Sequence, residues 1–368
     1  MDKNLYCSMI YNGLELDFKE AVPTAHHCCL RSNTAFPIDV NENYWIRPEF
    51  QNLREFNKQN KWSPECFNCQ RLEESGQESF RTGMNKNFGI GKYNSVGPKR
   101  IDLMFDVSCN LACRMCGVHH STMWQKHLKE NNLYNGTVFV PPNYDVVITA
   151  LSQLDLSDLR MLVFCGGETL LGQSYWKVAE WLATHVPNAK QQLTVCFQTN
   201  GTQPISLKNY ELIEQFHLVK LHISLDGVKN RFNYQRWPAD WNQVVDNILN
   251  IREITPSNTM FLIEETINIF NLFYQDELDT WIKNNFAANR EGDKVDHTRH
   301  LARGIFSLNN CSQSYVDHIR NTENINLLPS TWKENPLGIQ EMLAEIKKFD
   351  QIRGESFEKT FPEVAAFY

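Results

Sequence analysis

The sequence lacks several features that would assign it to a broad class at once. Its 368 residues carry a formal net charge of −7, which argues against the basic groove of a nucleic-acid-binding protein. No apolar run approaches the roughly 18 residues that a membrane-spanning helix needs, so we expect no membrane partner. The N-terminal stretch has no uninterrupted apolar core, and we therefore expect no signal peptide. The chain also lacks internal repeats and low-complexity tracts.

These absences predict a cytoplasmic protein, in a compartment where thiols stay reduced. The chain nevertheless holds 11 cysteines, which in that setting favour metal or cluster ligation over disulfides. Hydrophobic residues make up 42% and charged residues 21%, as in ordinary globular proteins. The length suits one large α/β domain, alone or with a smaller module.

From residue 100 onward, apolar runs suited to buried strands alternate with helical patterns. The strand candidates are 100–107, 159–165, 192–199, 219–225 and 258–267, with a weaker sixth at 300–308. The helix candidates are 174–186, 209–217, 241–254 and 275–286. This alternation predicts an α/β fold of parallel βα units, arranged as a partial (β/α)6 TIM-like barrel or as an open doubly wound sheet. Either arrangement would bring functional residues to the C-terminal ends of the strands.

The two ends of the chain differ from this central region. Residues 1–98 are polar and read as loop-rich, and the segment 89–100 has the Gly and Lys content of a connection. Near the other end, an apolar pattern over 335–353 predicts an amphipathic helix that packs on the outside. We therefore expect a cysteine module (1–98), a barrel (99–310) and a C-terminal helical extension (311–368).

Three cysteines, Cys109, Cys113 and Cys116, follow the first predicted strand directly. Thiolates at this spacing can bind three irons of a cubane cluster and leave the fourth iron open. The alternative is a structural zinc loop, which would take a fourth ligand from His119 or His120.

The segment CNLACRMC resembles the CxxxCxxC motif of the radical SAM superfamily, with Met115 where that family often has an aromatic residue. The resemblance implies a [4Fe–4S] cluster on Cys109, Cys113 and Cys116, with S-adenosylmethionine on the open iron. It further implies an electron donor such as flavodoxin or ferredoxin and reductive cleavage to a 5′-deoxyadenosyl radical.

Further segments match the family's order of motifs at successive strand ends, namely FCGGE (164–168), TNGT (199–202) and SLDG (224–227). By resemblance, Glu168 would accept a hydrogen bond from the methionine amino group, and Arg236 would bind the methionine carboxylate. The residues that the resemblance assigns to the cofactor are Gly166, Gly167, Glu168, Asn200, Ser224, Asp226 and Arg236.

The N-terminal region holds its own cysteine set, which consists of Cys7, Cys28, Cys29, Cys66 and Cys69. Adjacent cysteines rarely both bind one cluster, so one of the doublet is expected to be a spare, and four thiolates remain to close a cubane. The segment resembles the auxiliary-cluster module called twitch, the half-sized form of the SPASM domain, which in relatives follows the barrel. A zinc site on the same residues is the alternative. We expect His26 and His27 to be structural, although either could be a ligand.

The resemblance implies a radical that abstracts hydrogen from a substrate, with oxidative modification of a peptide or protein as the first expectation. An epimerase or dehydrogenase acting on a carbohydrate or small metabolite is the second, and a non-enzymatic zinc or iron–sulfur protein is the third. His222, Glu264 and Glu265 can point into the barrel or can be satisfied core groups. The remaining thiols, on Cys165, Cys196 and Cys311, read as ordinary buried groups, and Cys165 or Cys196 could serve an epimerase as hydrogen donor.

Overall fold

The computed structural model describes residues 4–19, 22–30, 36–74, 76–88, 96–286, 295–328 and 332–368. The strands are β1 (Gly13–Asp17), β2 (Thr24–His26), β3 (Phe36–Pro37), β4 (Arg100–Asp106), β5 (Met161–Gly166), β6 (Thr194–Thr199), β7 (Leu218–Ser224), β8 (Thr259–Ile267) and β9 (Asp296–Leu301). The α-helices are α1 (Ser8–Asn12), α2 (Pro48–Lys58), α3 (Phe67–Glu74), α4 (Phe80–Phe88), α5 (Thr122–Glu130), α6 (Tyr144–Ser152), α7 (Ser174–His185), α8 (Ala189–Gln192), α9 (Leu207–Ile213), α10 (Lys229–Gln235), α11 (Trp241–Ile254), α12 (Gln275–Phe286), α13 (Gln313–Ile319), α14 (Pro336–Arg353), α15 (Phe357–Thr360) and α16 (Pro362–Ala365). Within the described ranges, no helix is long and apolar enough to cross a bilayer. The predicted connection at 89–100 lies largely outside the described residues.

The chain divides into two compact units. Unit 1 comprises Met1–Val107, Val140–Phe197 and Ser206–Val219, and unit 2 comprises Ser108–Phe139, Gln198–Ile205 and Lys220–Tyr368. The predicted domain boundaries at 98 and 310 stay a prediction.

The strands of unit 1 lie in the order β3-β2-β1-β4-β5-β6. Neighbours from β1 to β6 run parallel, whereas β2 and β3 are antiparallel additions at the edge. The N-terminal region, which was expected to be loop-rich, also contributes β1, and this strand extends the parallel sheet beside β4. The signal for β1 is short: only Leu14 and Leu16 alternate with polar residues, and both are fully buried.

The core of unit 1 is aromatic. Phe164 packs between Phe197 and Tyr175, with ring centroids 5.0 and 5.3 Å apart, and Phe105 lies 4.4 Å from Tyr175. Trp176 on α7 stacks on Phe197 at 4.6 Å. Buried rings from β4, β5 and β6 thus pack against the aromatic residues of α7. Each buried ring stabilises the fold by about 1.5–3 kcal/mol.

Unit 2 contains the strand order β7-β8-β9. β8 and β9 are parallel, with Leu262 opposite Asp296 and Ile267 opposite Leu301. The sixth strand was expected at 300–308 but occupies Asp296–Leu301, since Gly304 adopts a φ of +75° and short 3-10 turns follow. Its sequence, DHTRHL, has no alternation of apolar and polar residues. Ion pairs of His297, Arg299 and His300 hold its side chains instead.

The C-terminal helices complete the core of unit 2. The helix predicted over 335–353 is present as α14, and Asn335 caps it by accepting a hydrogen bond from the Gly338 amide. Phe270, which follows β8, packs against Phe306, Phe357 and Phe361 with ring centroids 5.1–5.8 Å apart. With parallel strands alternating with helices along the chain, the predicted α/β class is confirmed.

Candidate cluster and cofactor sites

The cysteine triplet lies in the loop 108–121 of unit 2, which we call the cysteine loop. Cys109 and Cys113 are half-buried, and Cys116 is exposed. Ser121 ends the loop by capping α5: its side chain accepts a hydrogen bond from the Trp124 amide, and its hydroxyl donates to the carbonyl of Leu111 at 2.6 Å. The helix start therefore fixes one end of the loop.

Backbone hydrogen bonds fix the middle of the loop. The amides of Ala112 and Arg114 donate to the carbonyls of Trp237 and Gln235 at 2.7 and 2.8 Å. The indole of Trp124 donates to the Cys113 carbonyl at 2.8 Å. The loop is thus shaped by contacts with the end of α10, with Trp237 just beyond it and with α5.

Two arginines attach the loop to the C-terminal helices. The Arg114 guanidinium forms ion pairs with Asp350 at 2.6 Å and with Glu355 at 2.7 Å, and it lies 3.7 Å above the ring of Tyr234. Arg353 donates to the Ala112 carbonyl at 3.0 Å. Sequence reasoning treated the C-terminal helix as outer packing and missed this role, because the charges that meet are 236 residues apart.

Polar groups surround the triplet sulfurs. The Leu111 amide donates to Cys109 Sγ at 3.4 Å, and the Asn200 amide nitrogen lies 3.8 Å from the same sulfur. Arg236 Nη1 lies 4.0 Å from Cys113 Sγ. Thiolates are stabilised by such donors and cations, so these contacts suit sulfurs that bind metal in the charged form.

Of the residues assigned to the cofactor, Asn200, Ser224, Asp226 and Arg236 belong to unit 2, as the cysteine loop does, and Asn200 and Arg236 lie beside its sulfurs. Arg236 does not stand alone, since its Nη2 pairs with a carboxylate oxygen of Asp226 at 2.8 Å. The other oxygen of Asp226 accepts from the Thr266 amide at 2.8 Å. The pair therefore holds Arg236 beside Cys113, and the assignments to S-adenosylmethionine stay predictions.

Burial dominates the electrostatics of this site. It raises the pKa of the Cys113 thiol, against the opposing effect of Arg236. Burial likewise raises the pKa of Asp226, with Arg236 opposing it. For Arg236, burial acts to lower the pKa, but the charges of Asp226 and Cys113 outweigh it, and the net shift is upward.

The donor set fits a cluster with one open iron. Three thiols lie in one loop, and a cubane takes a single thiolate on each iron, so the sulfurs need not converge on one point. Among the described residues, no three His, Cys, Asp or Glu side chains form a group that could hold one metal ion. His119 and His120, the ligands of the zinc alternative, are both exposed.

The GGE motif lies in unit 1 at the end of β5. Gly166 has a φ of +138°, and a Cβ there would come within 2.1 Å of the Asp106 carbonyl oxygen. Only glycine fits that approach. Glu168 is buried, and its carboxylate accepts from the Leu170 amide at 3.0 Å. The roles of Gly166, Gly167 and Glu168 toward the cofactor stay predictions.

Four of the N-terminal thiols line one pocket of unit 1. Its thiol lining, here called the thiol quartet, consists of Cys7, Cys28, Cys66 and Cys69. His27 and Glu65 line the same pocket, with 3.7 Å between the imidazole Nδ1 and the carboxylate. Arg81 also lines it, and it forms an ion pair with Glu73 at 2.6 Å. Four thiols beside a buried cation suit a cluster whose irons all have protein ligands.

The structure separates the two cysteines of the doublet. Cys28 is buried and lines the pocket, whereas Cys29 is exposed and does not line it. Burial raises the pKa of Cys7 to about 11 and that of Cys66 to about 12. A hydrogen bond with Cys29, together with burial, raises the pKa of Cys28. Only a bound cation or metal would make these thiols ionise at neutral pH.

Comparison with family models finds a match to the Radical SAM superfamily over residues 105–275, a little under half of the chain. Comparison with curated proteins finds no match. Among solved structures, native anSMEcpe with bound AdoMet and Cp18Cys peptide is similar at 16% identity, over 60% of this chain and 57% of that chain, with a TM-score of 0.36.

Streptococcus suis SuiB bound to the precursor peptide SuiA is similar at 10% identity, over 95% of this chain and 74% of that chain, with a TM-score of 0.38. The chain spans less than two thirds of the anSMEcpe chain. The matched segment begins in β4, spans the cysteine triplet and all three strand-end motifs, and ends in α12. Residues 105–275 of this chain are thus similar to the Radical SAM superfamily.

Proposed function

We propose that this enzyme cleaves S-adenosylmethionine reductively and that the resulting 5′-deoxyadenosyl radical abstracts a hydrogen atom from the substrate. The observation that carries the proposal is the cysteine loop within the matched segment, with its sulfurs beside Asn200 and Arg236. When bound to Cys109, Cys113 and Cys116, a [4Fe–4S] cluster supplies the electron for this cleavage.

The protein's own contribution is to hold and orient. Asp226 fixes the plane of the Arg236 guanidinium, which leaves further N–H groups for a carboxylate such as that of methionine. Asn200 is oriented by Asn110, which accepts from its amide nitrogen at 3.0 Å. The carbonyl of Trp237 accepts a hydrogen bond from the backbone of the cysteine loop, and Arg114 of the loop forms an ion pair with Asp350 of α14.

Anaerobic reconstitution tests the proposal. The reduced protein is expected to release 5′-deoxyadenosine from S-adenosylmethionine, and Cys113→Ala is expected to release none. Cys311→Ala is the matched control, because Cys311 is a buried thiol of unit 2 outside the triplet. If Cys113→Ala and Cys311→Ala release 5′-deoxyadenosine equally, or if the parent releases none, the proposal is wrong.

We further propose that the thiol quartet holds an auxiliary [4Fe–4S] cluster and that Cys28, rather than Cys29, is its fourth ligand. The lining of the pocket supports this choice, since it includes Cys28 and omits Cys29. Such a cluster supplies a site that accepts or relays an electron. Arg81 would then lie near the negative charge of the cluster.

Iron content separates the two sites. The reconstituted chain is expected to bind about eight irons, four in each cluster. Cys28→Ala is expected to lower this to about four, whereas Cys29→Ala keeps about eight. Loss of iron in Cys29→Ala with retention in Cys28→Ala would reverse the assignment. If the chain instead binds zinc in a stoichiometric amount at the thiol quartet, the auxiliary-cluster proposal is wrong and the zinc alternative is right.

The substrate class rests on the resemblance of the N-terminal segment to twitch and SPASM modules. It favours oxidative modification of a peptide or protein, with a carbohydrate or small metabolite as the alternative. Incubation with S-adenosylmethionine and candidate peptides, followed by mass spectrometry, tests it: the expected product has lost two hydrogen atoms. Turnover of a sugar under conditions where no peptide reacts would favour the alternative.

A further inference from the structure

A buried ion pair borders the pocket of the thiol quartet. Arg81 lies near the start of α4, and Glu73 lies on α3, the helix that also carries Cys69. Their side chains are only 6% and 2% exposed, and 2.6 Å separates Arg81 Nη2 from Glu73 Oε2. Arg81 Nε donates to the other carboxylate oxygen at 2.8 Å. These two parallel hydrogen bonds fix the guanidinium in one orientation.

The third guanidinium nitrogen binds the backbone beside a thiol of the quartet. Arg81 Nη1 donates to the carbonyl of Tyr6 at 2.5 Å, and Tyr6 directly precedes Cys7. The ring of Trp62 covers the same guanidinium, with 5.3 Å between its centroid and Arg81 Cζ. One cation therefore contacts both the segment that carries Cys7 and the helix that carries Cys69.

The two members of the ion pair differ in their position relative to the pocket. Arg81 lines the pocket together with the thiol quartet, whereas Glu73 does not line it. The Glu73 carboxylate is instead satisfied from its own side, since the hydroxyl of Ser79 donates to Oε1 at 2.7 Å. The positive member of the pair therefore lies nearer to the thiols than the negative member.

The electrostatics of Arg81 agree with this placement. Burial acts to lower its pKa, but the hydrogen bond and the charge of Glu73 outweigh it, and the charges of Cys7 and Cys69 add to the net upward shift. Arg81 is therefore a cation at neutral pH. Four thiolates give a bound cluster a net negative charge, and reduction adds a further negative charge. A buried cation beside the pocket stabilises the reduced form more than the oxidised form.

We propose that Arg81 raises the reduction potential of the cluster that the thiol quartet binds, and so makes this site an electron acceptor. The inference rests on the proposed auxiliary cluster and deepens it. Reduction adds one electron to the bound cluster, and Arg81 keeps its proton throughout. The electron comes from the substrate radical, which has already given one hydrogen atom to the 5′-deoxyadenosyl radical. The substrate then loses a proton to solvent, so that the product lacks two hydrogen atoms.

Glu73 limits how much of the positive charge acts on the pocket. Its carboxylate partly neutralises the guanidinium, so removal of either charge should change the potential in opposite directions. We expect Arg81→Met to lower the reduction potential and Glu73→Gln to raise it. If the ion pair served the fold alone, both variants would disturb the same contact, and no such opposition would follow.

A redox titration of the full chain tests the inference. The variant Cys109→Ala/Cys113→Ala/Cys116→Ala serves as the parent, because it leaves the thiol quartet as the cluster site. The reconstituted chain is titrated with dithionite, and the reduced cluster is followed by electron paramagnetic resonance. Arg81→Met is expected to lower the equilibrium constant for reduction at least about tenfold, which is about 59 mV for one electron. Glu73→Gln is expected to shift the midpoint the other way.

Two further variants separate the charge from its surroundings. Arg81→Lys keeps the charge and is expected to restore most of the midpoint. Arg160→Met is the matched control, because it removes the same charge from unit 1 at a side chain that is 44% exposed and does not line the pocket. We expect its midpoint to equal that of the parent.

The outcomes distinguish this inference from the cluster on which it rests. Equal midpoints in the parent, Arg81→Met and Glu73→Gln, or shifts of the same sign in the two variants, would overturn the inference alone. If Arg81→Met takes up no iron, Glu73→Gln decides, and a midpoint that is not raised overturns the inference. If the parent itself fails to take up about four irons, the auxiliary cluster is refuted and the inference with it. Cleavage of S-adenosylmethionine plays no part in these measurements.

Discussion

Replacement of Arg114 by methionine tests whether the C-terminal helices support the cysteine loop. Methionine keeps much of the side-chain length but removes the charge, so Asp350 and Glu355 lose their shared partner. These carboxylates are only 12% and 17% exposed, and the Arg114 side chain is 1% exposed. Removing one member of a buried ion pair costs about 3–5 kcal/mol, because a desolvated charge is left behind.

An exposed pair of the same chemistry provides the matched control. Arg320 bonds to Asp317 at 2.8 Å, but both side chains are 54% exposed. We expect Arg320→Met to lower the free energy of unfolding by at most about 1 kcal/mol. Urea unfolding of the parent and of the two variants, followed by far-UV circular dichroism, measures the difference.

A third variant separates loss of the ion pair from loss of packing. Adding Asp350→Asn and Glu355→Gln to Arg114→Met removes the unpaired charges, so part of the lost stability should return. The reasoning fails if Arg114→Met and Arg320→Met unfold at the same urea concentration. It fails equally if the triple variant is no more stable than Arg114→Met.

Three further substitutions have defined outcomes. Gly166→Ala should lower the thermal midpoint sharply, because its Cβ would meet the Asp106 carbonyl oxygen at 2.1 Å, whereas Gly83→Ala, with open space around it, should not. The pKa of Glu264 is lowered to about 2, so its stabilising effect is present above the unfolded value near 4.5 and is lost as the pH falls toward 2. The difference in unfolding free energy between the parent and Glu264→Gln should therefore become smaller as the pH is lowered from 4.5 to 2. A difference that stays constant over this range would contradict the prediction. Phe270→Ala removes a fully buried ring and should cost about 3–5 kcal/mol in urea unfolding; a loss below about 1 kcal/mol would show that the site collapses freely.

The sequence predicts those parts of the fold that carry a local signal. The strands β4 to β8 and the helices α7, α11, α12 and α14 follow from apolar periodicity, since each buries one regular face. β1 was missed because two alternating leucines are too few to stand out. β9 was placed too late because its polar side chains are stabilised by ion pairs with β8, and hydropathy does not record such pairing.

The candidate sites divide in the same way. Spacing predicts Cys109, Cys113 and Cys116 as cluster ligands, because the three thiols lie within eight residues. Spacing could not choose between Cys28 and Cys29, since the choice depends on which thiol the folded chain turns toward the pocket. His222, Glu264 and His300 come from three strands, and only the register of those strands brings them together.

The attachment of the cysteine loop to the C-terminal helices has a consequence for biosynthesis. Asp350 leaves the ribosome 236 residues after Arg114, which at typical translation rates is a delay of about 12–47 s. Throughout that interval the three thiols are already made but lack the ion pairs that hold their loop. The loop proposed to bind iron therefore gains these ion pairs only after Asp350 and Glu355 have been made, and a product that ends before them would carry the motif without its support.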